Sequence, residues 1–113
     1  MVKNTVEHCQ HILSEAFMKA RIASMQYLQE HGERPMDLNC GFAWVTIRPA
    51  RGTLCKVLKE SYKASKGWNG GLVVWQPSGV PSQNMYAHQA GAIAFAEVLK
   101  EYGYNAEWDS RFD

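Results

Sequence analysis

The sequence predicts an α/β fold, with α+β as the alternative: one small domain whose elements run α-β-α-β-α-β and whose three strands form a parallel or mixed sheet packed by helices. Three observations predict it. The spacing of apolar residues switches along the chain between three-to-four and two, which separates helices from strands. A helical run stands between successive strand-like runs, and long crossovers of this kind are what parallel neighbours need. At 113 residues, 46% of them hydrophobic, the chain can bury one core and is too short for two domains of usual size. The whole chain, 1–113, is read as a single domain, with an N-terminal helix over 1–32 and an α/β core over 39–113.

The first segment, NTVEHCQHILSEAFMKARIASMQYLQEHG, reads as one long helix. Leu13, Ala16, Phe17, Ala20, Ala23, Tyr27 and Leu28 recur at three and four residues, while Glu15, Lys19, Arg21, Gln26 and Glu30 occupy other faces. Asn4 with Glu7 forms a capping arrangement and Gly32 is placed to end the helix. It should cover part of an open sheet face or help form a homodimer. ERPMDLN is then a connector, because Pro35 excludes continued helix.

CGFAWVTI is the first strand. Phe42, Trp44 and Thr46 fall on one side and Ala43, Val45 and Ile47 on the other, so both faces are largely apolar and the strand is expected inside the sheet. After RPARG, the positions of Leu54, Val57, Leu58 and Tyr62 give a second helix ending among SKGWNGG. LVVWQ is a short apolar strand stopped by Pro77, and PSGVPSQ is a loop dense in turn formers. The third helix is NMYAHQAGAIAFAEVLKEYG, with Gly103 as its stop. Ala87 with Gly91, and Ala90 with Ala94, make a thin surface on it that suits close approach of a neighbouring backbone. In YNAEWDSRFD, Tyr104, Ala106 and Trp108 alternate with Asn105, Glu107 and Asp109, the pattern of a strand with one wet face.

Charge and cysteine content narrow the function classes. Twelve Lys and Arg against eleven Asp and Glu leave a net charge of +1, so nothing global advertises a polyanionic partner, and nucleic acid is argued against. Cys9, Cys40 and Cys55 are odd in number and widely spaced, which fits a reducing cytoplasm better than a disulfide framework. No run reaches membrane-span length and MVKNTVEHCQ lacks a signal-peptide core, so a cytoplasmic protein without membrane contact is expected.

The junction VTIRPARGTLCKVLKE holds the principal candidate site. Thr53 can cap the helix, Gly52 can let the backbone approach an anion, and Arg48, Arg51 and Lys56 can supply charge beside the helix N-terminus. The spacing is neither GxxxxGK[ST] nor GxGxxG, and turn and cap chemistry alone accounts for most of these residues. His88, at the start of the third helix, can face the same crevice. A C-terminal strand beside the first would bring Asp109, Arg111 and Asp113 near Arg48 or Arg51, as ion pairs or as part of a polar site.

Weaker signals are weighed against plain packing. Trp44, Trp75 and Trp108 stand one on each strand and can stack bases, but core packing explains them more cheaply; Trp68 is the better exposed contact. His8, Cys9 and His11 resemble fragments of a metal site without the spacing of one, and no metal or cofactor is predicted. Cys40 with His88 as a nucleophile pair has no local signature.

CGFAWVTIRP together with AIAFAEVLKEYGYNAEWDSRFD resembles a family of small uncharacterised proteins encoded by tailed bacteriophages. The likeness covers residues from about Asn39 onward and is carried by Cys40 to Val45, Phe95 to Leu99, Gly103, Ala106, Ser110, Arg111 and Asp113. It implies a phage accessory protein acting in the host cytoplasm and supplies no active site. The expected function is therefore a small binding protein engaging a host protein or a small anionic, nucleotide-like ligand. Its candidate ligand-binding residues are Arg48, Arg51, Gly52, Thr53, Lys56, His88 and Arg111, and no catalytic residue is assigned. The rival readings are a small enzyme acting on a phosphorylated or nucleotide-like substrate, with Arg48, Arg51, His88 and Cys40 or Asp109 around one pocket, and a structural or virion-associated interaction module.

Overall fold

Helix α1 spans Val6–His31 in the computed structural model, which describes residues 5–32, 40–67 and 70–112. Its N-terminus is fixed by Thr5, whose hydroxyl accepts the His8 N–H at 3.1 Å. Asn4, expected to cap with Glu7, lies outside the described residues, as do the connector over 33–39 and Trp68. Gly32 ends the helix as expected, at φ 75°, where a side chain would be strained, with its N–H donated to the Leu28 carbonyl. Leu13, Ala16 and Ala20 of the predicted stripe are fully buried, and Cys9, Ile12 and Ser24 complete it.

The remaining elements are β1 (Gly41–Arg48), α2 (Thr53–Tyr62), β2 (Ser65–Lys66), β3 (Leu72–Trp75), α3 (Met85–Glu101) and β4 (Asn105–Phe112). They form a mixed α and β domain, but the expected sheet is corrected in two respects. Among the described residues it has four strands rather than three, in the order β2-β3-β1-β4, and every hydrogen-bonded strand pair is antiparallel rather than parallel or mixed. The additional strand, β2, has only two residues, too few to show a period, and it pairs Ser65 with Val73 and Lys66 with Leu72. It turns the chain back before β3, so β3 meets β1 head to tail. The α3 crossover does join two strands of the same direction, β3 and β4. Since β1 is antiparallel to both and lies between them, that parallel relation never becomes a hydrogen-bonded pair.

Alternation decides the two sheet faces. Ala43, Val45 and Ile47 of β1, Leu72 and Val74 of β3 and Ala106 of β4 point into the core, where they meet Leu54 and Leu58 of α2 and Ala92, Phe95, Ala96 and Leu99 of α3. Burial of these side chains is the main favourable term in the fold. Asn84 starts α3, its side-chain Oδ1 accepting the N–H groups of Tyr86 and Ala87 at 2.9 and 3.2 Å.

Helix α1 neither covers an open sheet face nor waits for a second copy to bury its stripe: it packs along α3, on the helical side of the sheet. The thin surface foreseen on α3 is partly used for this. A methyl group at Gly91 would stand 2.5 Å from Ser24 Oγ and 3.1 Å from the Ala20 carbonyl of α1, so only glycine permits the approach. Ser24 Oγ donates to the Ala87 carbonyl at 2.6 Å across the same contact. Among the described residues, no helix is long and apolar enough to cross a membrane.

Candidate binding face

Among the described residues, no helix covers the other face of the sheet. Residues paired across antiparallel strands share a face, so the registers Trp44 with Trp75, Thr46 with Val73, Phe42 with Arg111, Trp44 with Asp109 and Thr46 with Glu107 place all of these on the uncovered side. Three rings dominate it. Trp44 and Trp75 lie nearly parallel, 9° apart with centroids at 5.5 Å, and Phe42 leans on Trp75 at 5.2 Å. Trp75 is 50% exposed while Phe42 and Trp44 are half-buried, so the ring cluster is partly open to solvent instead of filling a core. Arg111 places its guanidinium carbon 6.0 Å from the Phe42 centroid and has no ion pair among the described residues. Trp44, Val73, Trp75 and Arg111 border a shallow recess of about 220 Å3.

Core packing, the cheaper explanation for the strand tryptophans, is thus overturned for Trp44 and Trp75. Trp108 does point to the helical side but sits on an edge strand and stays part-exposed. The alternation in β1 did carry the signal: Phe42 and Trp44 share their side with Thr46 and Arg48, which is the more polar of the two.

The residues expected to form one site divide between the two ends of β1. Arg48, Arg51, Gly52, Thr53 and Lys56 gather at its C-terminal end. There the Arg48–Pro49 peptide is cis, Gly52 at φ 99° is the N-cap of α2, and no side chain caps that helix, so Thr53 does not serve as the cap. Arg51, Gly52 and Lys56 are exposed. Arg48 Nη1 lies 3.9 Å from Glu107 Oε2, a solvent-facing pair worth little to stability. The antiparallel run of β4 makes Glu107 the partner and carries Asp109 and Arg111 away from Arg48; Asp113 lies outside the described residues.

His88 and Arg111 are at the opposite end. Cys40 bridges to Asn84 and the Gly41 N–H donates to the Gln83 carbonyl at 3.1 Å, so α3 begins beside the start of β1. That is roughly 23 Å from Arg48 along an eight-residue strand. The His88 imidazole is 1% exposed; its Nε2–H donates to the Ser82 carbonyl at 2.6 Å and its Nδ1 is 3.5 Å from Ser78 Oγ. Cys40 donates to Gln83 Oε1 at 3.7 Å, so Cys40 and His88 are each engaged with other partners and do not pair as nucleophile and base.

Other reactive groups are tied into the helical side. Burial pushes the Tyr104 phenol up to about 12, helped by its 3.9 Å contact with Cys9 Sγ. Burial also raises the Cys55 thiol against the opposing pull of Lys59, the reverse of what an activated thiolate needs. The Tyr102 hydroxyl is raised by donating to Glu15 Oε1 at 2.9 Å. Among the described residues, no three His, Cys, Asp or Glu side chains converge as a metal site. What the uncovered face can do chemically is hold a planar ring by stacking and an attached anion by Arg111. No family model, curated protein or solved structure matches the chain.

Proposed function

We propose that the protein is a small binding protein, of the accessory kind its sequence resembles in tailed phages, and that it holds a nucleotide-like ligand on the uncovered face of the sheet. The observation that carries this reading is the platform of Phe42, Trp44 and Trp75 beside Arg111. Stacking on such rings contributes about 1–3 kcal/mol per base. The turn at Arg51 and Gly52 supports an anion less well, because Arg48 already faces Glu107 and no ring lies in that turn. Isothermal titration calorimetry with 5′-AMP and with inorganic phosphate tests the reading. AMP should bind, phosphate alone should bind more weakly, and Trp75→Ala should weaken AMP by at least about fivefold. AMP binding that survives Trp75→Ala but is lost in an Arg48→Ala/Arg51→Ala variant would move the site to the turn.

A second reading, self-association as a homodimer, rests on α1. Met18, Ile22 and Met25 are exposed at i, i+4 and i+7 on the side opposite the buried Ala16 and Ala20. Sedimentation of the wild type against Ile22→Glu checks it: a wild-type monomer at micromolar concentration removes the reading.

A further inference from the structure

The charges on the uncovered face follow an order of their own. Strand pairing puts Arg48 of β1 and Glu107, Asp109 and Arg111 of β4 on that side. Along β4 the sign runs negative, negative, positive, each residue about 7 Å from the next. Glu107 Oε2 already faces Arg48 Nη1 at 3.9 Å, so those two largely cancel. Two charges are left. Arg111 is exposed, stands 6.0 Å from the Phe42 centroid and borders the recess with Trp44, Val73 and Trp75. Asp109 is exposed in the row that holds Trp44 and Trp75. Its Oδ1 accepts the Ser110 N–H at 2.8 Å, and it has no ion pair among the described residues. The face thus offers one available cation with an uncompensated carboxylate one step away.

From this order we infer that the face selects a mononucleotide, one base bearing one phosphate, and that Asp109 is the residue that turns away nucleoside polyphosphates and nucleic-acid strands. The inference rests on the reading of the uncovered face as a nucleotide-binding surface and names the class of nucleotide it takes. One guanidinium makes a bidentate pair with one phosphate. A further phosphate finds no second unpaired cation on the described strands of this face. It meets Asp109 instead, which lies about 7 Å along the strand from Arg111, inside the screening length of about 10 Å at 0.1 M salt. The aromatic recess sets the same limit. At about 220 Å3 it is smaller than a cleft that encloses a whole small ligand, so it has room for one base and not for a run of them. A platform for strands would continue its stacking rings along a basic groove, whereas the next charged position here is a carboxylate.

The test is calorimetry at low salt, without divalent cations, using adenosine, 5′-AMP, ATP and the dinucleotide pApA. The wild-type chain should bind AMP at least about threefold more tightly than ATP or pApA. Asp109→Asn keeps Oδ1 for the Ser110 N–H while removing the charge, and it should bring ATP to within about twofold of AMP. Raising the salt should narrow the wild-type gap in the same direction. Arg111→Ala should remove the advantage of AMP over adenosine. ATP or pApA equal to AMP or tighter in the wild type, with all binding lost in Trp75→Ala, would overturn the single-phosphate selection and leave the aromatic face standing. A preference for AMP that Asp109→Asn leaves intact would overturn the role given to Asp109. Binding of none of the four ligands would overturn the selection and the face reading together.

Discussion

Gly91→Ala should destabilise the protein, although alanine is the better helix former. Propensity alone favours the substitution by about 1 kcal/mol in a helix interior. Against it stands the crossing of α1 over α3. The new methyl carbon would lie 2.5 Å from Ser24 Oγ, 2.7 Å from Ser78 Cβ and 3.1 Å from the Ala20 carbonyl oxygen. These neighbours belong to α1 and to the loop before α3, and one of them is backbone, so no single side-chain rotation relieves the crowding. Overpacking of this kind costs about 1–3 kcal/mol. Displacing Ser24 also sacrifices its bond to the Ala87 carbonyl, worth about 1 kcal/mol. The net expectation is a loss of about 1–3 kcal/mol, or a fall of roughly 4–12 °C in Tm, read by far-ultraviolet circular dichroism and urea titration. Adding Ser24→Ala should recover part of that loss, because the shortest contact disappears, giving a coupling of about 0.5 kcal/mol or more. An unchanged or raised midpoint in Gly91→Ala would refute the close α1–α3 packing.

Two further outcomes follow from caps and titration. Asn84→Ala removes the acceptor for the Tyr86 and Ala87 N–H groups and should lower stability by about 1 kcal/mol in urea unfolding, with Asn84→Asp largely preserving it. The Tyr104 phenol is raised from 10.0 to about 12 in the folded chain, so between those pH values the folded state holds a proton that the unfolded state has released. Its contribution is complete below pH 10 and is lost as pH rises towards 12. Tyr104→Phe should therefore flatten the decline in Tm across that alkaline window, and an undiminished decline would assign it to other groups.

Much of the architecture was legible in local pattern, and most of what was missed depended on partners that local pattern does not contain. The three long helices and the strands at Gly41–Arg48, Leu72–Trp75 and Asn105–Phe112 announced themselves through period, caps and Gly or Pro punctuation. Ser65 and Lys66 could not, since a two-residue strand exists only through its hydrogen bonds to β3. Without β2, a helix between two strands implied parallel neighbours. That error propagated to the site, because strand direction determines whether Glu107 or Arg111 stands beside Arg48. The split of Phe42 and Trp44 from Ala43 and Val45 was also visible in the sequence. Which side stayed uncovered depended on which face α3 packs against, and α1 then joins α3 through the fit of Ser24 against Gly91, two residues in different helices.

The strand order has a consequence for how the molecule avoids adhering to its own kind. Both margins of an open sheet offer unpaired backbone groups that can template another chain. On the β2 side the offer is brief, two residues. On the β4 side it extends over eight residues, Asn105 to Phe112. That long margin carries Glu107, Asp109 and Arg111 at alternate positions, so an approaching strand would have to desolvate three charges to gain a ladder of hydrogen bonds. One rim is thus guarded by brevity and the other by hydration, and the exposed rings of the uncovered face lie between two edges that discourage sheet extension.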